Sequence, residues 1–248
     1  MSTPLEGTTA VVTGASSGIG EATARALASA GARVALLARR RDRLESLAGE
    51  LGDRAVAYEV DVTDDEAVAN TVEEVVRDLG GVDVLVNNAG YGSMTPAAEA
   101  DLAEWRRMVD VNVGGVLGTT HAALPHLVKA AEGARGIADV VTISSVAGRK
   151  VAFPAANVYA ATKHAVGAFS EALRQELAGR HVRVGLVEPG LVRSELTEDN
   201  GAAQDAESSM ELGLMEAEDI ADAVVYMVTR PRRAAVNEML VRPTGQTR

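Results

Sequence analysis

The stretch that decides the fold is TTAVVTGASSGIGEATARALASAG, Thr8 to Gly31. Its first part, TTAVVTG (8–14), is a short β-branched apolar run, the pattern of a strand buried on both faces. The later part, GIGEATARALASAG (18–31), reads as a helix closed by Gly31. Between them stand Gly14, Gly18 and Gly20, spaced G-x-x-x-G-x-G. Glycines at a strand-to-helix turn let the backbone bend tightly and come close to a pyrophosphate. The helix N-terminus adds free N–H groups and the positive end of its dipole. Three glycines alone make only a tight connection, but placed directly after the first strand and at a helix start they predict a dinucleotide-binding turn.

The same alternation continues outward. RVALLA (33–38), RAVAYEV (54–60), VDVLVN (82–87), DVVTIS (139–144), VRVGLV (182–187) and a short run near 237–241 read as further strands. RDRLESLAGEL, Asp64–Leu79, Asp101 to about Ala131, Val158–Ala178 and Glu216–Thr229 read as helices. Strands that are apolar throughout, alternating with helices over short connections, imply right-handed βαβ units. The expectation is an α/β chain: one doubly wound Rossmann domain over 1–248, with a parallel sheet of about seven strands flanked by helices. The least patterned segment, Ser194–Gly213, is long for a plain connection and reads as a substrate loop or lid.

A hydrophobic content of 47% suffices for a sizeable core, and a net charge of −11 argues against nucleic acid or an anionic membrane as partner. The chain has no cysteine, which excludes disulfides, thiolate metal sites and a cysteine nucleophile. Its four histidines follow no metal-ligand spacing, so no metal is expected. The N-terminus lacks a basic segment followed by an apolar one, and no apolar run reaches the ~20 residues of a membrane span. A cytoplasmic protein is the resulting expectation.

In such folds an acid closing the second strand holds the adenosine ribose. Here that position reads ARRR, Ala38–Arg41. Guanidinium forks suit a 2′-phosphate, so the expected cofactor is NADP(H), with Arg39 as first partner and Arg40 as second. The competing reading is a solvated helix start, with Arg41 and Arg43 paired to acids such as Glu45. NVYAATK (157–163) places Tyr159 and Lys163 four apart, on one helical face one turn apart. Ser144 and Ser145 close the fifth strand, at the sheet edge where ligands bind in these folds.

Seven motifs now stand in order: TGASSGIG (13–20), DVTD (61–64), NNAG (87–90), VNVGG (111–115), ISSVAG (143–148), YAATK (159–163) and EPGLVRSEL (188–196). The set resembles the short-chain dehydrogenase/reductase family over essentially the whole chain. The ARR stretch and MLVRPTGQ (239–246) resemble its NADP-dependent subgroup of clavulanic-aldehyde reductases and 3-hydroxy acid dehydrogenases. The resemblance implies a pyrophosphate turn from Gly14, Gly18 and Gly20, lined by Ser16 and Ile19. It implies Asp61 and Val62 at the adenine, and Asn88, Ala89 and Gly90 along the ribose. Pro189, Gly190, Val192 and Ser194 would border the nicotinamide, with Ser194 where relatives carry Thr. It further implies Tyr159 as general acid/base, Lys163 lowering the phenol's pKa while bonding the ribose, Ser145 at the carbonyl oxygen and Asn112 holding a water. One departure is visible: Ser145 precedes Tyr159 by 14 residues where the family has 13, and Ser144 is the fallback.

The expected activity is interconversion of an aldehyde or ketone with an alcohol. Alternatives are a 3-hydroxy acid dehydrogenase or 3-oxoacyl reductase and, from another class, a non-catalytic dinucleotide-binding regulator. Tyr91, Met94, Val146, Phe153, Asn157 and the 194–213 segment are the substrate-pocket candidates. A small-molecule substrate and a homodimer or homotetramer built on the helices at 101–131 and 158–178 are the implied partners.

Overall fold

The computed structural model describes residues 3–151, 154–199 and 212–247. Seven strands form one sheet: β1 (Thr9–Thr13), β2 (Arg33–Ala38), β3 (Ala55–Glu59), β4 (Val84–Asn87), β5 (Ala138–Ile143), β6 (Val182–Pro189) and β7 (Glu238–Val241). Their order is β3-β2-β1-β4-β5-β6-β7, and every pairing is parallel. The doubly wound architecture is therefore as the sequence predicts. The chain builds outward from β1 to β3, then returns so that β4 pairs with β1. That reversal opens a crevice beyond the carboxyl ends of β1 and β4, where open α/β sheets bind ligands.

Alternate strand residues face opposite layers. Ala10 and Val12 of β1, with Val34 and Leu36 of β2, pack against Leu27 of α1 (Gly18–Ser29), Leu44 of α2 (Arg41–Leu51) and Val224 of α8 (Ala217–Val228). Val11, Ala35 and Leu37 face the other way. Their layer holds Val68 and Val75 of α3 (Asp65–Leu79), Leu127 of α5 (Gly115–Ala131) and Leu173 of α6 (Asn157–Leu177). Local chemistry sets the ends of α3. Asp64 caps it by accepting from the Ala67 amide at 2.9 Å, and Gly80 leaves it at φ 88°.

Two differences from the sequence reading have physical causes. The first helix ends at Ser29, two residues before Gly31, and Gly31 takes φ 105° against Thr3. The region expected as one helix from 101 to 131 is α4 (Leu102–Val109), a π turn over Asp110–Gly114, and then α5. Gly115 and Gly118 lie so close to Val62 and Asp65 that an added Cβ would meet them at 2.7 and 2.5 Å. The wide turn passes beside this contact, and such turns recur at functional sites. Phe153 and residues 200–211, part of the expected loop, lie outside the described residues. The near end of that loop is a short helix, α7 (Glu195–Asp199). Among the described residues no helix is long and apolar enough to cross a membrane.

Candidate active site

The glycine turn fills the crevice wall. Gly14 and Gly18 adopt φ 66° and 54°, the left-handed region that disfavours side chains. Gly20 is needed for another reason: a Cβ there would lie 2.2 Å from the Gly14 carbonyl oxygen and 2.4 Å from Asn88 Nδ2. The turn is tied to the end of β4. The Thr13 hydroxyl accepts from the Asn88 and Ala89 amides, both at 3.0 Å, and Asn88 Nδ2 donates to the Thr13 carbonyl at 2.9 Å. Ile19 packs into the core behind the turn, and Ser194 lies against Gly18.

Arg40, just beyond β2, reaches back over this turn. Its Nε donates to Ser16 Oγ at 3.1 Å, and an Nη to Ser17 Oγ at 2.6 Å. Its other Nη grips both oxygens of Glu195, at 3.1 and 2.9 Å. Arg43 pairs with the same carboxylate. Arg39 points elsewhere: it is largely exposed, 3.8 Å from Asp61. Arg41 pairs with Glu45, as the solvated-helix reading expected, whereas Arg43 does not. Asp61 is held by the amide and hydroxyl of Thr63, and Val62 is buried against Gly115. The donor set around Ser16, Ser17, Arg40 and Arg43 already binds an anion, and the glycine turn leaves room for backbone approach. These residues therefore fit a phosphate-bearing dinucleotide.

A second cluster of candidate residues lies where β5 and α6 meet. The Ser145 hydroxyl accepts from the Ala147 amide at 3.1 Å and acts on the Tyr159 phenol, favouring its ionised form. Ser144 is buried and turned to the Lys163 carbonyl instead. Ser145, not Ser144, thus faces the phenol despite the extra residue in the intervening loop. Lys163 Nζ donates to the Ile143 carbonyl at 2.9 Å and lies 5.7 Å from the centre of the Tyr159 ring. Burial lowers the Lys163 pKa to about 8. Burial also pushes the Tyr159 phenol up, with the Ser145 hydroxyl opposing. The expected lowering of the phenol by Lys163 is not what the protein alone produces. The Nζ is bonded to a main-chain carbonyl, and desolvation dominates both groups.

Gly90 sits between Asn112 and Lys163: a Cβ there would lie 3.5 Å from Asn112 Oδ1 and 3.9 Å from Lys163 Nζ. Asn112, in the π turn, accepts from the Tyr91 amide and donates to the Tyr91 carbonyl, each at 2.8 Å, and donates to Thr162 Oγ1 at 3.1 Å. Tyr91 and Met94 pack with Trp105 and Val158 around Tyr159. Asn157 donates to the Thr95 carbonyl, and Val146 follows Ser145 in a single 3₁₀ turn. Gly190 packs against Gln246, and Val192 bridges to Met215. Sequence reasoning missed Thr13, Ser17, Arg43 and Glu195. Thr13, Ser17 and Glu195 stand beside Gly14, Ser16 and Ser194 within the quoted motifs, whereas Arg43 had been read only as part of a solvated helix start.

This constellation has clear relatives. The model of the short chain dehydrogenase family matches residues 8–205. The chain is 44% identical over 252 residues to glycine betaine reductase ATRR of Emericella nidulans, covering 98% of this chain but only 19% of that protein. It is 38% identical to sulfoacetaldehyde reductase 2 of Chromohalobacter salexigens, covering 95% of this chain and 94% of that one. Among solved structures, the closed form of serine dehydrogenase complexed with NADP+ superposes with a TM-score of 0.88 at 33% identity, covering 97% of this chain and 96% of the other. The chain belongs to the short chain dehydrogenase family and is an oxidoreductase of that family.

Proposed function

We propose that this chain interconverts a small carbonyl compound, aldehyde or ketone, and the corresponding alcohol, using NADP(H). The observation that carries the reading is the meeting of Ser145, Tyr159 and Lys163 beside the glycine turn. Gly14, Gly18 and Gly20 would receive the pyrophosphate, Arg40 and Arg43 the 2′-phosphate, and Lys163 the nicotinamide ribose. NADPH supplies the hydride when bound. The other redox partner is the substrate carbonyl, whose oxygen gains a proton as its carbon is reduced.

Tyr159 is the proton donor in reduction and the acceptor in oxidation. Burial favours its neutral form, so the phenol holds its proton until a substrate oxygen demands it. The Ser145 hydroxyl, on the phenol's side of the strand end, orients the carbonyl oxygen and stabilises charge developing there. The protonated Lys163 favours the phenolate left after transfer. Both amide hydrogens of Asn112 are taken by Tyr91 and Thr162. Asn112 is therefore a positioning residue, and a water on it would be held by its remaining acceptors. Exposed Leu102, Val109 and Leu117 on α4 and α5 support a contact between copies through the 101–131 part of the expected 101–131 and 158–178 pairing.

The test is NADPH oxidation with a panel of aldehydes and ketones that includes small charged ones, for wild type and Tyr159→Phe. Loss of the acid should cost about 10²–10⁴-fold in turnover with NADPH affinity retained. Turnover that survives the substitution overturns the acid role, and no NADPH oxidation across the panel by a wild type that binds NADPH favours the regulator reading.

A further inference from the structure

Glu195 opens α7 with its carboxylate inside the donor set assigned above to the 2′-phosphate. Arg40 Nη1 contacts both oxygens, Arg43 pairs with Oε1, and Ser17 Oγ donates to Oε2 at 3.0 Å. Two guanidiniums and a hydroxyl around one anion are also what a phosphate monoester requires. The carboxylate and a phosphate cannot share these donors. The next residue, Leu196, faces the chemistry. A Cβ added to Gly92 would lie 3.3 Å from Leu196 Cδ1 and 3.2 Å from Tyr159 Cδ2, so Leu196 and the Tyr159 ring flank the same point. Consecutive side chains of one turn thus touch the anion cradle and the surroundings of the proton donor.

We propose that Glu195 is a built-in competitor for the 2′-phosphate, displaced when NADP(H) binds and left in place by NAD(H), and therefore a determinant of cofactor selectivity. The inference rests on the NADP(H) reading above. Arg43 holds the Glu195 carboxyl below its ordinary pKa, so the competitor is anionic at neutral pH. Displacing it exchanges charge-assisted bonds to a carboxylate for similar bonds to a phosphate, which lowers apparent affinity for phosphate-bearing cofactors without affecting others.

The experiment is equilibrium binding of NADP+, NAD+ and 2′,5′-ADP to wild type, Glu195→Gln, Glu195→Ala and, as a control for general charge, Glu45→Gln. Removing the competitor should tighten NADP+ and 2′,5′-ADP about tenfold, with NAD+ and the control unchanged. Glu195 variants that bind 2′,5′-ADP no better than wild type overturn the inference, while a wild type that still prefers NADP+ to NAD+ leaves the cofactor reading standing. If neither wild type nor the Glu195 variants prefer NADP+, the cofactor reading fails and the inference fails with it. The Glu195 side chain is about half exposed, at 46%, and both replacements should fold, which thermal melting verifies.

Discussion

Lys163 is an ammonium enclosed by protein, with a main-chain carbonyl at 2.9 Å. Burial brings its pKa to about 8, below the ordinary 10.5. Between those values the unfolded chain binds a proton that the native chain has lost, so this group makes stability rise with pH across that window. Tyr159, raised by burial, acts in the opposite sense only above its ordinary value near 10. Lys163→Met should therefore flatten the rise between pH 8 and 10, an effect of at most about 3 kcal/mol. Urea unfolding at stepped pH would show it, and parallel profiles for the two proteins would refute the lowered pKa. At this scale the pairing of Tyr159 with Lys163 was legible because a four-residue helical spacing is local. The direction of the phenol's shift was not, because it depends on how much protein surrounds it.

Among elements, the turn from β1 to α1 is the least tolerant of change. Gly20 must lack a side chain because the Gly14 carbonyl and Asn88 occupy the space, and Asn88 Nδ2 ties that carbonyl to the end of β4 at 3.3 Å. Gly20→Ala should destabilise by about 1–3 kcal/mol, the range for overpacking, and weaken dinucleotide binding. Gly49, in the last turn of α2, has nothing within 4 Å of an added Cβ. Gly49→Ala should stabilise by about 0.5–1 kcal/mol. Thermal unfolding of both variants tests the contrast, and equal effects would mean that the turn has slack. Most element boundaries were legible to within two residues, since caps and apolar period are local signals. The π turn at 110–114 was not, because α4 and α5 continue one helical pattern, and only the approach of Val62 and Asp65 marks the place.

The whole molecule is pinned at the opposite end of the sheet by a buried ion cluster. Asp139 of β5 receives two bonds from Arg183 of β6, at 2.7 and 3.0 Å, and pairs with Arg135 at 2.7 Å. Arg183 also donates to the carbonyls of Val228, Arg230 and Ala234, which ties α8 and the chain beyond it to the sheet. Removing the acid leaves two largely buried guanidiniums without their countercharge. Asp139→Ala should cost about 3–5 kcal/mol, read from denaturant unfolding, and a loss below 1 kcal/mol would show that the chain relaxes around them. Nothing in the sequence singled out this cluster, since Asp139 and Arg183 are 44 residues apart.

The strand–helix alternation, the glycine turn and the seven ordered motifs were determined by sequence alone, because each depends on period or spacing within a few residues. Tertiary structure decided which of two adjacent residues faces the candidate site. It turns Ser145 to the phenol and Ser144 to the Lys163 carbonyl, and it lays Arg40 over the turn while Arg39 points to Asp61. It also delivers Glu195 to Arg40 across 155 residues. Neighbours in a chain point to opposite sides of a strand end or loop, so chemistry carried by a pair is resolved only by what the fold packs against each.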